Sequence, residues 1–326
     1  MYIQHMKTRF KLFGKSVQLV RRSAPGWTAA NIIISLSSSF LPLVLLWYIK
    51  RLIDSVTLAV SDVSADNTRM VLLMILAIAV IYFLDEATQS LGNLVRQKQA
   101  YRLEAYMYGL IHDKSVSLDL QHFERPDYYD CLSRAVREAP YRPGSIVNNI
   151  VSALRAGISL LLMAGLLATL NWWLVVILIV ANIPGIWLRV YYADVLYNFR
   201  RELTPVARKA AYFNWLLTGD RPSRELRLFG LGSFFSGQFR KNFDMQKKEE
   251  LNIARKRSLI ELMSGVFKAA AVLVTLYYIV MRTIGSDIGL GDLAMFLLAF
   301  RMGMTYIKQI LGATAGLYED SLFIND

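Results

Sequence analysis

The fold class this chain predicts is an all-α membrane protein, and three observations predict it. The first is a supply of apolar runs about 20 residues long, the length a helix needs to cross a bilayer at about 1.5 Å per residue. The second is the stretch 146–192, apolar for most of its length and broken once, at Asn171, Trp172 and Trp173. Two crossings fit there with almost no loop between them, so they predict a tight antiparallel hairpin with both indoles at the water boundary. The third is charge. Lys and Arg fill the long polar connections and leave the short ones nearly empty.

Composition agrees. The 326 residues are 55% hydrophobic and 19% charged, with a mean hydropathy of +0.35, and a soluble protein of this length would not carry several such runs. The formal charge of +12 raises nucleic acid as a partner. It is set aside because no basic patch stands apart from a membrane flank. Cys131 is the single cysteine, which excludes an internal disulfide and a cysteine-based metal cluster. His5, His112 and His122 have no metal-ligand spacing, so no metal site is expected. Residues 15–26 lack the apolar core and small-residue cleavage site of a signal peptide, and the first span is expected to serve as its own insertion signal.

In chain order, residues 1–25 carry six basic residues and no acid. Phe10, Phe13, Val17 and Val20 recur at helical steps, which suits an amphipathic helix in the membrane interface or, failing that, a disordered basic tail. Residues 27–49 form the first span, with Pro42 as the kink point, and 50–69 a short outer loop. The second span begins at Met70 and stays helix-compatible through Asp85, Glu86 and Arg96 toward Arg102. The hairpin supplies spans three and four, and 260–281 and 290–311 supply five and six. Basic residues number eight in 95–145 and fifteen in 189–259, against three, none and one in the outer loops. Six spans with both termini in the cytoplasm follow from this count.

The inner connections are too rich in aromatic and apolar residues for solvated linkers; Tyr212, Phe213, Trp215, Phe229, Phe234 and Phe235 are examples. Helices two to five are expected to continue past the bilayer as a packed bundle. Breakers at 124–127 and 218–222 mark turns at its far tips.

Three local patterns then carry a resemblance. Phe-Glu-Arg-Pro-Asp-Tyr-Tyr-Asp at 123–130, Glu-Leu-Arg-Leu-Phe-Gly at 225–230 and Gly-Leu-Gly-Asp-Leu at 289–293 stand in order at the right topological places. Together they resemble the transmembrane domain of an ABC exporter, and the resemblance covers essentially the whole chain. It implies an exporter fold over 26–320, after the basic segment 1–25 and before a linker beginning at 321–326. It also implies a second transmembrane half, identical or related, and a nucleotide-binding domain supplying ATP and Mg2+. No Gly-x-x-x-x-Gly-Lys-Ser/Thr phosphate loop occurs in the sequence. The chain is therefore expected to be part of a longer protein or to work with a separate ATPase. A bacterial inner or plasma membrane is the expected location.

The resemblance further implies that the ATPase stroke enters through two coupling tips. At the first, Arg125, Pro126, Tyr128 and Tyr129 are the candidates; at the second, Thr218, Gly219, Asp220 and Arg224, with Leu216. The same aromatics could simply pack the cytoplasmic bundle. For the substrate path, polar groups inside spans are the guide, because they are costly in lipid. Arg301 lies deep in the sixth span, near mid-bilayer, with Met304 and Lys308 on nearly the same face. That cationic stripe would line a cavity favouring peptide, lipid or amphipathic cargo with an anionic portion. Alternatively, Arg301 and Lys308 pair with acids on neighbouring helices, with Asp85 and Glu86 as partners and Lys268 as their competitor. A nucleotide-independent carrier or channel, or a membrane enzyme acting on a lipid-linked substrate, is the alternative function.

Overall fold

The computed structural model describes residues 14, 16–61, 65–119, 121, 128, 132, 135–136, 138–285 and 287–323. Every regular element among them is helical. They are α1 (Pro25–Ser37), α2 (Leu41–Ser61), α3 (Ala65–Val116), α4 (Arg142–Leu170), α5 (Trp172–Thr218), α6 (Ser223–Leu228), α7 (Gly232–Ile284) and α8 (Leu290–Phe323). Five stretches are long and apolar enough to cross a membrane: Pro25–Val60, Asp66–Val116, Arg142–Leu170, Gly232–Ile284 and Leu290–Tyr318. The fourth of the six expected crossings corresponds to a shorter apolar helix, Trp172–Leu188. That stretch is the first part of α5, which runs on as helix to Thr218.

The chain forms two compact units, one running to Leu178 and resuming at Val274, the other Ile179–Leu273. In the first, α4 and α8 make the most extensive pair, and α2 packs on both α8 and α3. The faces explain the pairing. On α4 the buried residues Ile146, Val151, Ala156, Ser159, Met163 and Leu167 recur every three to five positions, one stripe of a 3.6-residue helix. On α8 Phe296, Ala299, Phe300, Tyr306 and Ile307 do the same. Gly316 of α8 lies so close to Asn149 of α4 that a Cβ there would collide with it, the small-residue contact by which membrane helices approach.

The first span is broken, but one turn earlier than Pro42. Ser38–Phe40 is a turn, and α2 resumes at Leu41. Pro42 has no N–H to donate to the carbonyl of Ser38, and its ring crowds that carbonyl, so the ladder opens just before it. The hydroxyls of Ser38 and Ser39 donate to the carbonyl of Ser35 at 2.9 and 3.0 Å. Ser159 of α4 donates to the carbonyl of Ser39 at 3.3 Å. The break is thus bonded to its neighbour rather than left open.

Two expectations are corrected. The loop expected at 50–69 is mostly helix, because α2 runs on to Ser61 and α3 starts at Ala65. No Gly or Pro interrupts Lys50–Ser61, and Leu52, Ile53 and Ser55 turn inward on one face. The N-terminal helix also differs. Residues 16–23 are helical, yet Val20 is fully buried against Leu103, Val147 and Val151. Its apolar face therefore meets α3 and α4 as well as whatever surrounds exposed Val17. Phe10 and Phe13 lie outside the described residues.

The hairpin break is as expected. Asn171 alone separates α4 from α5, with extended backbone (φ −165°, ψ 131°). Its Oδ1 accepts the N–H of Trp173 at 3.1 Å, and its Nδ2 donates to the Tyr278 hydroxyl at 2.8 Å. This is the action of a helix N-cap. Trp172 and Trp173 stack with ring centroids 4.5 Å apart, and both are exposed. α4, however, finds its main partner in α8 rather than across the hairpin.

Candidate functional site

The second unit carries the tip expected at 218–222. α5 has 47 residues and α7 has 53, about 70 and 80 Å of helix, more than twice what a bilayer core needs. Their connection begins where the Gly219 N–H donates to the carbonyl of Trp215 at 2.7 Å. Thr218 Oγ1 donates to the carbonyl of Asn214 at 2.8 Å, closing the last turn of α5. The carbonyl of Asp220 accepts the Ser223 hydroxyl at 2.7 Å, and Pro222 leads directly into α6.

α6 is a short helix that stands directly after this turn. Leu216 and Thr218 belong to α5, Gly219 and Asp220 to the turn, and Arg224 to α6 together with Glu225–Leu228. The residues decide this. Pro222 fits a helix start, Glu225 sits in the first turn and Arg227 in the last, each with the sign the helix dipole favours. Gly230 then ends it, with φ +65°, a conformation that strains any residue with a Cβ. The Leu231 N–H donates to the carbonyl of Leu226 at 3.1 Å, and the Gly230 N–H to that of Arg227 at 3.3 Å. Those two bonds are the Schellman closure. The Glu-Leu-Arg-Leu-Phe-Gly pattern is therefore a helix with its stop signal attached.

Aromatic residues tie the helices near this tip. Phe213 of α5 and Phe235 of α7 lie with ring centroids 5.9 Å apart, and Tyr212 stacks on Trp215 at 6.1 Å. The bundle does not bury them all. Leu228 is 79% and Phe229 66% exposed, and Tyr212, Trp215 and Phe234 are exposed as well. An exposed apolar cluster of that kind marks a contact surface. At the first tip, Arg125, Pro126 and Tyr129 lie outside the described residues; Tyr128 is helical and half-buried.

The three residues expected to line a substrate path all lie on α8. Arg301 and Lys308 are exposed and Met304 is half-buried, on the face opposite Ala299, Phe300, Tyr306 and Ile307. Among the described residues Arg301 forms no ion pair, and Asp85 instead accepts a hydrogen bond from Gln89 at 2.8 Å. Lys268 lies beside Gly185, with Nζ 3.2 Å from where a Cβ there would stand.

The packed face of the first unit holds polar groups that sequence reading missed. Ser159 of α4 and Tyr306 of α8 are both buried on it. Farther along, Asn31 donates to Gln99 Oε1 at 2.9 Å and to Asn148 Oδ1 at 3.2 Å, and Gln99 donates to Thr28 Oγ1 at 3.1 Å. This amide network joins α1, α3 and α4. Near the end of α8, buried Asp320 accepts from Arg142 Nη1 at 2.8 Å, Ser145 Oγ at 2.7 Å and Asn149 Nδ2 at 3.2 Å. At the other end of α8, Lys50 pairs with Asp292 at 2.6 Å, and the Gly291 N–H donates to Asp54 Oδ1 at 3.1 Å. A polar residue recurring on an otherwise apolar stripe was the available signal. Asn31, Asn148, Asn149 and Ser159 all show it.

No family model matches the chain. Its sequence is similar to the subtilin transport ATP-binding protein SpaT of Bacillus subtilis, 22% identical over 296 residues, which take in 89% of this chain and 47% of that protein. It is also similar to the nisin transport ATP-binding protein NisT of Lactococcus lactis subsp. lactis, 22% identical over 295 residues, 90% of this chain and 48% of that one. The chain thus spans about half the length of these curated relatives. The similarity and the apolar helices together fit the membrane domain of an ABC exporter.

Proposed function

We propose that this chain is the transmembrane half of an ATP-driven ABC exporter in a bacterial membrane. It crosses the bilayer six times, with both termini and the tips of α3, α5 and α7 in the cytoplasm. The basic residues concentrated in the long connections support that orientation. A second half completes the path, and a nucleotide-binding domain outside this stretch binds ATP and Mg2+.

The observation that carries the reading is the tip in the second unit. A six-residue helix, closed at both ends by its own turn chemistry and displaying Leu228 and Phe229, stands at the junction of two helices far longer than the bilayer. A rigid helical element seated in a partner's groove passes on a push, and a loop does not. The role assigned to Thr218, Gly219 and Asp220 is to aim α6, while Arg224 and the exposed apolar side chains meet the ATPase. Arg125, Pro126, Tyr128 and Tyr129 form the second contact.

The test replaces Leu228 and Phe229 together with Asp in the complete transporter. Both side chains are exposed, so folding does not depend on them. Losing apolar anchors at the centre of an interface cuts ATP-driven transport at least about tenfold, with the thermal unfolding midpoint unchanged. Transport at the parental rate in that variant would remove the tip from the coupling route.

The stripe of Arg301, Met304 and Lys308 is assigned to the substrate path. With α8 starting at Leu290, Arg301 lies about 16 Å along the helix, near mid-bilayer. A guanidinium held there is costly unless water or an anion meets it, which points to cargo with an anionic portion. The relatives' names make subtilin and nisin the first compounds to try. Arg301→Gln is expected to weaken transport of anionic cargo several-fold while sparing a neutral analogue. Equal transport of both, at the parental rate, would return Arg301 to a structural role.

A further inference from the structure

A groove of about 400 Å³ opens between the start of α1 and the middle of α3, lined by Trp27, Gln97, Lys98, Tyr101 and Arg102. Its walls are held in register by the buried bonds from Gln99 to Thr28 and from Asn31 to Gln99, at 3.1 and 2.9 Å. Lys98 Nζ stands 5.4 Å from the centroid of the Trp27 ring. Arg102 is one helical turn on, where two cations repel unless an anion lies between them. Both are exposed, and among the described residues neither makes an ion pair. The next acid along α3, Glu104, is engaged instead by the Tyr141 hydroxyl at 3.4 Å.

The position of the groove selects the anion. Pro25, two residues before Trp27, opens the first apolar crossing stretch. Indole and phenol rings flanked by cations are the composition of a membrane boundary. Beyond the groove, Ile33, Leu91 and Leu94 are exposed and apolar, a surface along which acyl chains can lie. Arg21 and Arg22, exposed on the preceding helix, add to the positive field. A basic pocket between membrane helices with these neighbours suits a lipid head group better than a free ion.

We propose that this groove binds the head group of an anionic glycerophospholipid, with its phosphodiester between Lys98 and Arg102 and its polar alcohol beside Gln97. The site would fix α1 against α3 where the first span meets the interface. It is independent of the transport reading.

The test is native mass spectrometry of the full protein, with any chains that copurify, offered equal amounts of phosphatidylglycerol and phosphatidylcholine. One phosphatidylglycerol per chain is retained preferentially. Lys98→Gln with Arg102→Gln lowers that retention about thirtyfold, from about fivefold for each interfacial cation. Lys98→Arg with Arg102→Lys keeps it, and neutralising exposed Arg240 and Lys241 instead leaves it unchanged. Equal retention of phosphatidylcholine, or of phosphatidylglycerol by the double Gln variant, overturns the proposal. Displacement of the lipid by inorganic phosphate at millimolar concentration also overturns it, since the groove would then be a simple anion site.

Discussion

Replacing Asp320 with alanine is expected to destabilise the first unit by about 2–4 kcal/mol. The carboxylate is 4% exposed and accepts three hydrogen bonds, from Arg142, Ser145 and Asn149. Removing one partner of a buried ion pair typically costs 3–5 kcal/mol, because the other charge stays behind unmatched. The Arg142 side chain is 25% exposed and keeps a second, half-exposed partner in Glu138 at 3.3 Å. Solvent and that contact lower the figure. Thermal unfolding in detergent would show a midpoint several degrees lower. Arg142→Ala combined with Asp320→Ala should cost less than the two changes summed, since residues in one network couple. A change of under about 0.5 kcal/mol, the usual effect of a neutral surface substitution, would mean that the Asp320 contacts do not hold α4 to α8.

The second large effect is expected at the opposite end of α8. A Cβ on Gly291 would collide with Asp54 Oδ1 and with the backbone carbonyl of Lys50. That carbonyl belongs to α2 and cannot rotate away as a side chain could. Gly291→Val must therefore push α2 from α8, breaking the Gly291–Asp54 bond and the Lys50–Asp292 pair. Overpacking of this kind costs about 1–3 kcal/mol, and the partly exposed ion pair adds up to about 1 kcal/mol. Asp292→Asn separates the two terms, because it removes only the pair. Unfolding midpoints that fall equally in both variants would show that charge rather than close packing joins the helices.

These contacts show where sequence alone stops. The break at Asn171 and the turn after Thr218 rest on local chemistry, meaning a capping side chain, glycine and proline, and each stands where the sequence placed it, while run length located five of the six expected crossings. Arg142 and Asp320 are 178 residues apart, and no periodicity reports that they meet. Val20 read as an interfacial residue because its partners Leu103 and Val147 lie on other helices. The loop expected at 50–69 was inferred from its charges, yet Lys50 and Asp54 are satisfied by the start of α8 and can stay in a helix. The short helix α6 was not foreseen for a similar reason. Glu225 and Arg227 read as a motif following the tip, whereas their placement at the two ends of six residues makes them the tip helix. Gly-Leu-Gly-Asp at 289–292 was legible only as a resemblance; the packing of Gly291 on α2 supplies its physical reason.

The most direct test of the exporter reading is ATP hydrolysis by the protein isolated from its own source membranes, with every polypeptide in the preparation sized. The reading predicts hydrolysis that survives purification and travels with a longer chain or a bound second subunit carrying the nucleotide-binding domain. A chain of this length that purifies alone and hydrolyses no ATP would contradict it.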